Sequence, residues 1–279
     1  VKELDHNVLL IFQPAEETLG GAEEICKSGI FTKYNVSQVF GIHLWPFLPK
    51  GVISSRPGAF MPKSAEINVD INGKAAHGTA PYEGLDALYI TADYVKRTYG
   101  DHANMFGAIH RFKDGVGDLK YAPCDIPEER TLIHFGKMES GYARNIVSDY
   151  SHLLGTVRAY DEEHFQKIIG ILTKNLEEIE KEYHCTTGFS HSDGYPPVIN
   201  DKVLYDEIRP VLESLEGGYE EMPLPLMISE DFSFYGQYAP AVFFVLGTGT
   251  GIPLHSTSFD FEEDLLLSGF ALYKALLTR

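Results

Sequence analysis

The sequence predicts an α/β protein in which a domain built on a mostly parallel sheet is interrupted by an inserted α+β domain. Two observations predict this class. Val39–His43 and Ala241–Leu246 are short, continuously apolar runs near the two ends of the chain, typical of strands buried on both faces. Between them, Ala65–Ile71 alternates apolar and polar residues, as an antiparallel strand with one exposed face does.

The outer domain is predicted from both ends of the chain. Val8–Phe12 is apolar and is predicted to be a first buried strand, followed by a helix over Ala22–Ser28 and the strand Val39–His43. This strand–helix–strand order predicts a right-handed parallel crossover. The same kind of pattern, with a continuously apolar strand between helices, is predicted near the C-terminus. Its elements are a helix over Val203–Leu215, a strand over Ala241–Leu246 and a final helix over Phe261–Leu277.

The inserted domain is predicted to have the order β-α-β-β-α-β, which is that of a ferredoxin-like fold. After Ala65–Ile71 the predicted elements are a helix, two strands, a helix and a strand: Tyr82–Tyr99, Thr131–Phe135, His152–Tyr160, Glu162–Tyr183 and Cys185–Ser190. The joints are expected near Pro62–Lys63 and Tyr195–Pro197, so residues 63–195 form the insertion and residues 1–62 with 196–279 form the outer domain. Residues 100–129, rich in Gly, Asp and Pro, are expected to form an elaborated loop.

Composition excludes several classes of function. The 279 residues carry a formal net charge of −17 and no cluster of Lys and Arg, so neither nucleic acid nor an anionic membrane surface is an expected partner. No apolar run approaches the ~20 residues that a membrane-spanning helix needs. Three widely spaced cysteines and no visible signal peptide favour a reducing, cytoplasmic location.

Candidate metal ligands follow the strands of the outer domain. Glu16 and Glu17 come directly after Val8–Phe12, and His43 ends the next strand. In an open α/β sheet, ligands bind at the carboxyl ends of the strands, and a divalent cation would relieve the repulsion of two adjacent carboxylates. Together with His255, Glu17 and His43 would make a three-ligand set of the catalytic zinc type. The alternatives are that the glutamates form a solvated helix start and that the histidines belong to the core.

Nine segments, in order along nearly the whole chain, carry a family resemblance. They are VLLIFQPAEETLGGAEEI (8–25), GIHLWPFLPKG (41–51), INGKAAHGTAPYEGLDAL (71–88), ARNIVSD (143–149), GTVRAYDEE (155–163), DGYPPVIND (193–201), SEDFSFY (229–235), VFFVLGTG (242–249) and LHSTSFDFEED (254–264). Together they resemble the M20 metallopeptidase family, and most closely its subfamily D of N-acyl amino acid amidohydrolases. That branch includes hippurate hydrolases and N-acetyldiaminopimelate deacetylases.

The resemblance implies a role for individual residues. Glu16 matches the general base, and His77 matches a histidine of the inserted domain that binds substrate and stabilises the oxyanion. Asn145 and Arg158 match positions that face substrate. The residues that match metal ligands are Glu17, His43 and His255. The inserted domain is expected to be a mobile lid and a dimer contact, giving a homodimer or higher homo-oligomer.

One family motif has no counterpart in this sequence. The family carries an upstream Cys-Gly-His-Asp-Gly-His-like motif whose Cys and His complete a two-metal site, and Cys26, Cys124 and Cys185 all stand in other contexts. The chain therefore resembles the C-terminal portion of such an amidohydrolase. Two ions of Mn, Zn, Co or Ni are expected in the complete protein.

The reaction that these residues imply is metal-assisted amide hydrolysis of a small N-acyl amino acid, with the acyl group and the amino acid left open. Glu16 accepts a proton from water and returns it to the leaving amine. The alternative is an inactive, truncated protein that acts only through association of its inserted domain. A phosphate-binding function is set aside because residues 247–253, although rich in Gly, lack the Gly-Lys-Ser/Thr ending of a phosphate loop.

Overall fold

The computed structural model describes residues 4, 6–18, 20–101 and 129–279. Its helices, α1 to α6, are Gly21–Lys27, Ile30–Lys33, Ala87–Asp101, Glu162–Tyr183, Lys202–Glu213 and Leu266–Leu277. Its strands, β1 to β12, are Val39–Trp45, Ile53–Ser55, Gly58–Met61, Lys63–Asn72, Ala76–His77, Leu132–Ser140, Ile146–Val147, Tyr150–Ala159, Thr186–His191, Val198–Asn200, Tyr219–Glu221 and Ala241–Gly247. No helix in this described part of the chain is both long and apolar enough to cross a membrane.

The contacts divide the chain into two compact units. Unit 1 consists of Val1–Met61 and Tyr195–Arg279, and unit 2 consists of Pro62–Gly194. Each unit has one four-stranded and one two-stranded sheet, and the described residues form two buried cores in unit 1 and one in unit 2.

The main sheet of unit 1 contains parallel strands, as the sequence predicts, together with one antiparallel pairing. Its strand order is β1-β12-β2-β11, with β1 parallel to β12, β2 parallel to β11, and β12 antiparallel to β2. All seven residues of β12 are buried. Alternate side chains enter two different cores, Phe243 and Val245 on one face and Val242, Phe244 and Leu246 on the other. A strand covered on both faces must be apolar throughout, which explains its unbroken apolar sequence.

Helices cover both faces of this sheet. The first core contains residues of α1 and of the 3-10 helix Asp231–Gln237, and the second contains residues of α5 and α6. Helix α5 is preceded by Asp201, whose side chain accepts a hydrogen bond from the backbone N–H of Leu204 at 2.7 Å. This is an ordinary N-cap, which satisfies one of the free amides of the first turn.

The prediction of a strand over Val8–Phe12 is wrong. These residues belong to no helix or strand, and Leu10 and Phe12 are 71% and 88% exposed. A continuous apolar run forms a buried strand only where a neighbouring strand supplies its hydrogen bonds and both faces are covered. Among the described residues, β1 is paired along one edge only, with β12, and residues 8–12 join no ladder.

Unit 2 contains an antiparallel sheet with the strand order β6-β8-β4-β9. With the connecting helices α3 and α4, the chain order is β4-α3-β6-β8-α4-β9, a split βαβ arrangement. Along β4 the residues Ala65, Ile67, Val69 and Ile71 are buried, whereas Glu66, Asp70 and Asn72 are exposed. One face of the sheet therefore packs on the helices, whose apolar residues share its core.

The two long helices of unit 2 differ in how well the sequence predicts them. Helix α4 covers the predicted span Glu162–Tyr183, between the N-cap Asp161 and a left-handed His184. Helix α3 begins at Ala87, later than predicted, because Pro81–Glu83 forms a separate 3-10 turn. Cys26 and Cys185 are buried free thiols, whereas Cys124 and most of the predicted loop 100–129 lie outside the described residues.

Candidate functional site

The site begins with a tight turn that carries Glu16 and Glu17. We call residues 13–18 and 20 the glutamate turn. Ala15 has a φ of +62°, a left-handed conformation that costs a non-glycine residue roughly 1–2 kcal/mol. Its carbonyl accepts a hydrogen bond from Gly20 N at 3.0 Å, so the turn closes on itself. At Gly21 an added Cβ would lie 2.0 Å from the Pro14 carbonyl oxygen, so only glycine fits where α1 begins.

A buried aspartate ties both ends of this turn to the 3-10 helix. The Gln13 side-chain amide donates to the two carboxylate oxygens of Asp231 at 2.8 and 2.7 Å. The backbone N–H of Ala22 donates to the same carboxylate at 3.1 Å. Gln13 Oε1 accepts a hydrogen bond from the Tyr235 hydroxyl at 2.6 Å. Asp231 is 1% exposed, so its charge is stabilised by these donors rather than by water.

Tyr195 supports the middle of the glutamate turn. Its hydroxyl donates to the Glu16 carbonyl oxygen at 3.1 Å, and its ring lies beside Gly20. The ring packs edge-on against Phe234, with centroids 6.2 Å apart. The backbone of Glu16 is thus fixed independently of its carboxylate.

The carboxyl groups of Glu16 and Glu230 form a coupled pair. Burial raises the pKa of Glu16, and the charges of Glu17 and Asp231 raise it further, whereas His43 and the hydrogen bond to Glu230 lower it. Burial also raises the pKa of Glu230 to about 8, and the charge of Glu16 adds to this effect. At neutral pH Glu230 therefore holds a proton and donates it in a hydrogen bond to Glu16.

One group of three possible metal ligands occurs among the described residues. It consists of Glu16, Glu230 and Asp231, whose ligand atoms all lie within 4.8 Å of one another. Their charges are already compensated. Glu230 shares a proton with Glu16, and Asp231 accepts three hydrogen bonds. This group can therefore exist without a cation, and it leaves Glu16 as a desolvated carboxylate that can accept a proton.

The predicted ligands lie beside this group. His255 follows β12 on a loop, and its Nε2 lies 4.0 Å from Glu17 Oε1, with both side chains largely exposed. This separation is a few tenths of an ångström longer than that of two ligand atoms in a tetrahedral site, so a small movement of these exposed side chains would let both bind one ion. His43 lies on β1, and its Nδ1 donates to the Leu44 carbonyl oxygen at 2.7 Å. In the neutral ring this bond selects the tautomer with its proton on Nδ1, which leaves the Nε2 lone pair available to a metal.

The carboxylate and imidazole donors are therefore of the types that bind a divalent cation, but the three predicted ligands do not lie close enough together to form a complete site. Glu17 and His255 are in contact, whereas Glu17, His43 and His255 do not form a group within 4.8 Å. β1 and β12 are parallel neighbours, so His43 and the loop that leads to His255 lie toward the same edge of the sheet.

In unit 2 the structure brings two of the predicted substrate residues together. β5 pairs with β7, with His77 opposite Ile146, and Gly78 N donates to the Asn145 carbonyl oxygen at 2.7 Å. An added Cβ at Gly78 would lie 2.9 Å from that oxygen, so this close approach requires glycine. His77 Nδ1 lies 2.8 Å from Thr79 Oγ1 and accepts a hydrogen bond from Thr79 N at 3.3 Å. The neutral His77 ring therefore carries its proton on Nε2.

Arg158 lies on the central strand β8, opposite Ser64 on one side and Leu132 on the other. Burial lowers the pKa of its guanidinium, which stays charged because that pKa starts so high. A partly buried guanidinium is suited to bidentate binding of a carboxylate.

Sequence reasoning missed the side chains that hold the glutamate turn. The motif SEDFSFY (229–235) contains Glu230, Asp231 and Tyr235, yet its spacing does not indicate that these residues reach Gln13 and Glu16. The one available signal is the polar pair Glu230–Asp231 in an otherwise apolar setting. A buried acidic pair needs donors, and those donors are supplied from the other end of the chain.

Comparison with known proteins assigns the chain to a family. Residues 1–279 match peptidase family M20/M25/M40. The chain belongs to this family. It is 32% identical over 287 residues to an uncharacterized hydrolase of Staphylococcus epidermidis, covering 99% of this chain and 68% of the relative.

Solved structures of this fold match at lower identity. A Bacillus subtilis protein described as a dinuclear metal-binding peptidase from the M20 family matches with a TM-score of 0.73 and 21% identity, over 96% of this chain and 64% of that chain. An aminobenzoyl-glutamate utilization protein from Klebsiella pneumoniae matches with a TM-score of 0.62 and 18% identity, over 96% and 60%. The chain thus spans less than two thirds of the length of either solved chain, and both likenesses concern the fold.

Proposed function

We propose that this chain carries the general base and a metal site of an amidohydrolase that releases a free amino acid from an N-acyl amino acid of the N-acetyl or N-benzoyl type. The proposal rests on one juxtaposition above all. Glu17 and His255 approach within 4.0 Å, and the adjacent Glu16 is a partly buried carboxylate. Family membership and the B. subtilis relative described as dinuclear support a divalent cation at this position.

The residues that would hold the metal are Glu17, His43 and His255. Such an ion, one of Mn, Zn, Co or Ni, would act as a Lewis acid and make a bound water more acidic. We expect two ions in the active protein. Neither Glu230 nor Asp231 is required as a ligand, because both are satisfied by the contacts described above.

Glu16 carries out the proton transfers in this proposal. Its raised pKa makes it a stronger base than an exposed glutamate, as general-base catalysis near neutral pH requires. It accepts one proton of the attacking water while the water oxygen bonds to the acyl carbon. When the C–N bond breaks, Glu16 returns that proton to the leaving amine, so a carboxylic acid and a free amino acid are formed.

Residues of unit 2 would act on the substrate. His77 presents Nε2–H, the donor that a developing oxyanion needs, because its Nδ1 is engaged by Thr79. Arg158 would hold the carboxylate of the amino acid, and Asn145, beside His77, would also contact the substrate. We further propose that unit 2 serves as a lid and as the contact of a homodimer, and that the reaction takes place in the cytoplasm.

The experiment is to measure the metal content of the purified chain after equilibration with Mn²⁺ or Zn²⁺. The same measurement is made on a His43→Ala variant and on a control variant, His134→Ala, which replaces an exposed histidine of β6. Near-stoichiometric metal that is lost only in His43→Ala supports the proposal, and hydrolysis is then assayed on a panel of N-acyl amino acids. Metal bound equally by all three proteins, or by none, contradicts it and favours a protein that acts only through association of unit 2.

A further inference from the structure

Gln13 and Asp231 are 218 positions apart in the chain, yet they form the best-connected polar contact beside the site. The Gln13 amide donates to both oxygens of Asp231, and its own oxygen accepts from Tyr235. Asp231 also accepts from the backbone of Ala22. The oxygen and nitrogen atoms of both side chains therefore have protein partners, so this pair is occupied in holding the fold and is not directed at substrate or metal.

These contacts enclose the glutamate turn. Gln13 precedes Glu16 by three residues, and Ala22 follows Glu17 by five, so the Asp231 carboxylate holds the chain on both sides of the glutamate pair. Between these two points lies Ala15 in a left-handed conformation. A strained residue of this kind persists only where surrounding contacts outweigh its cost. Without the Gln13–Asp231 contact, the turn is free to relax and to move Glu16 and Glu17.

We propose that the Gln13–Asp231 pair is a positioning device for the glutamate turn, and that it sets the affinity of the site for a divalent cation without binding that cation. This inference rests on the proposed function, because it assumes that Glu17 is a ligand. Contacts that orient a ligand without touching the metal typically change metal affinity about 10–100-fold when they are removed.

A charge swap separates positioning from simple electrostatics. Gln13→Glu places a carboxylate against the carboxylate of Asp231 and breaks the contact, while it adds a negative charge near the cation. Electrostatics alone predicts tighter cation binding in this variant, whereas loss of positioning predicts weaker binding.

Adding Asp231→Asn to the Gln13→Glu variant restores the hydrogen bonds between positions 13 and 231. In this double variant the donor is at position 231 and the acceptor is at position 13. The amide introduced at position 231 donates to the carboxylate introduced at position 13, and its oxygen accepts from the backbone of Ala22. The carboxylate at position 13 still accepts from the Tyr235 hydroxyl. The double variant therefore recovers the geometry of the turn and has the same formal charge as the original chain.

The measurement is titration of the chain with CoCl₂, followed by isothermal calorimetry and by the visible absorption spectrum of the bound Co²⁺. We expect Gln13→Glu to weaken binding about tenfold or more and to alter the spectrum. The double variant is expected to return to within about threefold of the original affinity, with the original spectrum. Asp231→Asn alone is expected to fall between the two, because Gln13 must turn its amide over to meet the new donor.

Gln237→Glu, at the exposed end of the 3-10 helix, is the matched control for added charge. Circular dichroism establishes that each variant is folded. If Gln13→Glu does not fold, the double variant alone decides, and its failure to bind Co²⁺ contradicts the inference. Binding by Gln13→Glu that equals or exceeds that of the original chain contradicts it as well. If the original chain binds no Co²⁺, the proposed function fails and this inference fails with it.

Discussion

Glu230 donates a hydrogen bond to Glu16, so that two acidic side chains from opposite ends of the chain share one proton. The arrangement depends on burial, which raises the pKa of Glu230 to about 8, far above that of an exposed glutamate. Its consequence is that Glu16 keeps its negative charge next to a neutral neighbour instead of a second anion. The same proton also links the stability of unit 1 to pH.

We expect the metal-free chain to become less stable as pH rises from about 5 to 8. In the folded chain Glu230 keeps its proton up to a pH of about 8, whereas in the unfolded chain it loses it near 4.5. Between these values the folded state binds more protons, so the free energy of unfolding falls with increasing pH. Glu230→Gln keeps the donor to Glu16 without titrating. It should flatten this slope, so that its stability relative to the original chain rises by roughly 3–4 kcal/mol between pH 5 and pH 8.

Urea unfolding at pH 5, 6, 7 and 8 measures this effect. Glu220→Gln on β11, an exposed position, is the matched control and should keep the slope of the original chain. A slope that Glu230→Gln leaves unchanged would show that the shared proton does not govern stability.

Glu16→Gln separates the general base from the metal ligands. Glutamine preserves the size of the side chain and can pair with Glu230, so the turn and Glu17 stay in place. We expect metal content to change little and hydrolysis of N-acyl amino acids to fall about 10²–10⁴-fold, the usual contribution of a general base. Turnover and metal content are measured on the same preparation. Turnover that survives would exclude Glu16 as the base.

The sequence predicts best the elements that pack one face on a core and expose the other, because their apolar residues then recur with a regular period. The alternation over Ala65–Ile71 is confirmed as part of β4, and the apolar face of Glu162–Tyr183 is confirmed as α4, with the same bounds. Val8–Phe12 is mispredicted because an apolar run specifies a strand only together with its pairing partner, which local sequence does not reveal.

The site is predictable only in part, for a related reason. The sequence singles out Glu16, Glu17 and His255 by their places after predicted strands and by the family resemblance, and the structure places the last two in contact. The support of Glu16 by Glu230 and of Gln13 by Asp231 joins residues more than two hundred positions apart. Hydrogen bonds of this kind have no periodicity, so they become visible only when the fold is known.

Thr79→Val should weaken the orientation of His77 without unfolding unit 2. The Thr79 hydroxyl lies 2.8 Å from His77 Nδ1, whereas the longer bond from Thr79 N persists in the variant. Valine matches threonine in shape but leaves Nδ1 without the hydroxyl. We expect kcat to fall several-fold, with KM and the unfolding midpoint nearly unchanged. Thr186→Val, exposed on β9, is the control, and a loss seen only in KM would contradict a role in transition-state stabilisation.

Asn200→Ala should be the most destabilising of these substitutions, because Asn200 joins three strands of unit 1 from a buried position. Its Nδ2 donates to the Arg56 carbonyl oxygen at 2.7 Å and to Ser55 Oγ at 3.0 Å, and its Oδ1 accepts from Phe243 N at 2.7 Å. Alanine leaves the buried N–H of Phe243 without this acceptor, and it removes every hydrogen bond that Nδ2 donates.

We expect Asn200→Ala to lower the free energy of unfolding by about 2–4 kcal/mol, measured in urea at constant pH. Asn72→Ala, at an exposed position with a single long side-chain bond of 3.5 Å to the Thr186 carbonyl oxygen, should change it by less than about 0.5 kcal/mol. Asn200 and Asp201 connect β10 to α5, and both elements belong to unit 1. The loss of stability should therefore appear as unfolding of unit 1 at a lower urea concentration, with the unfolding midpoint of unit 2 unchanged. Equal effects of the two alanine variants would contradict this prediction. They would mean that apolar contacts, and not the hydrogen bonds of Asn200, hold β2, β10 and β12 together.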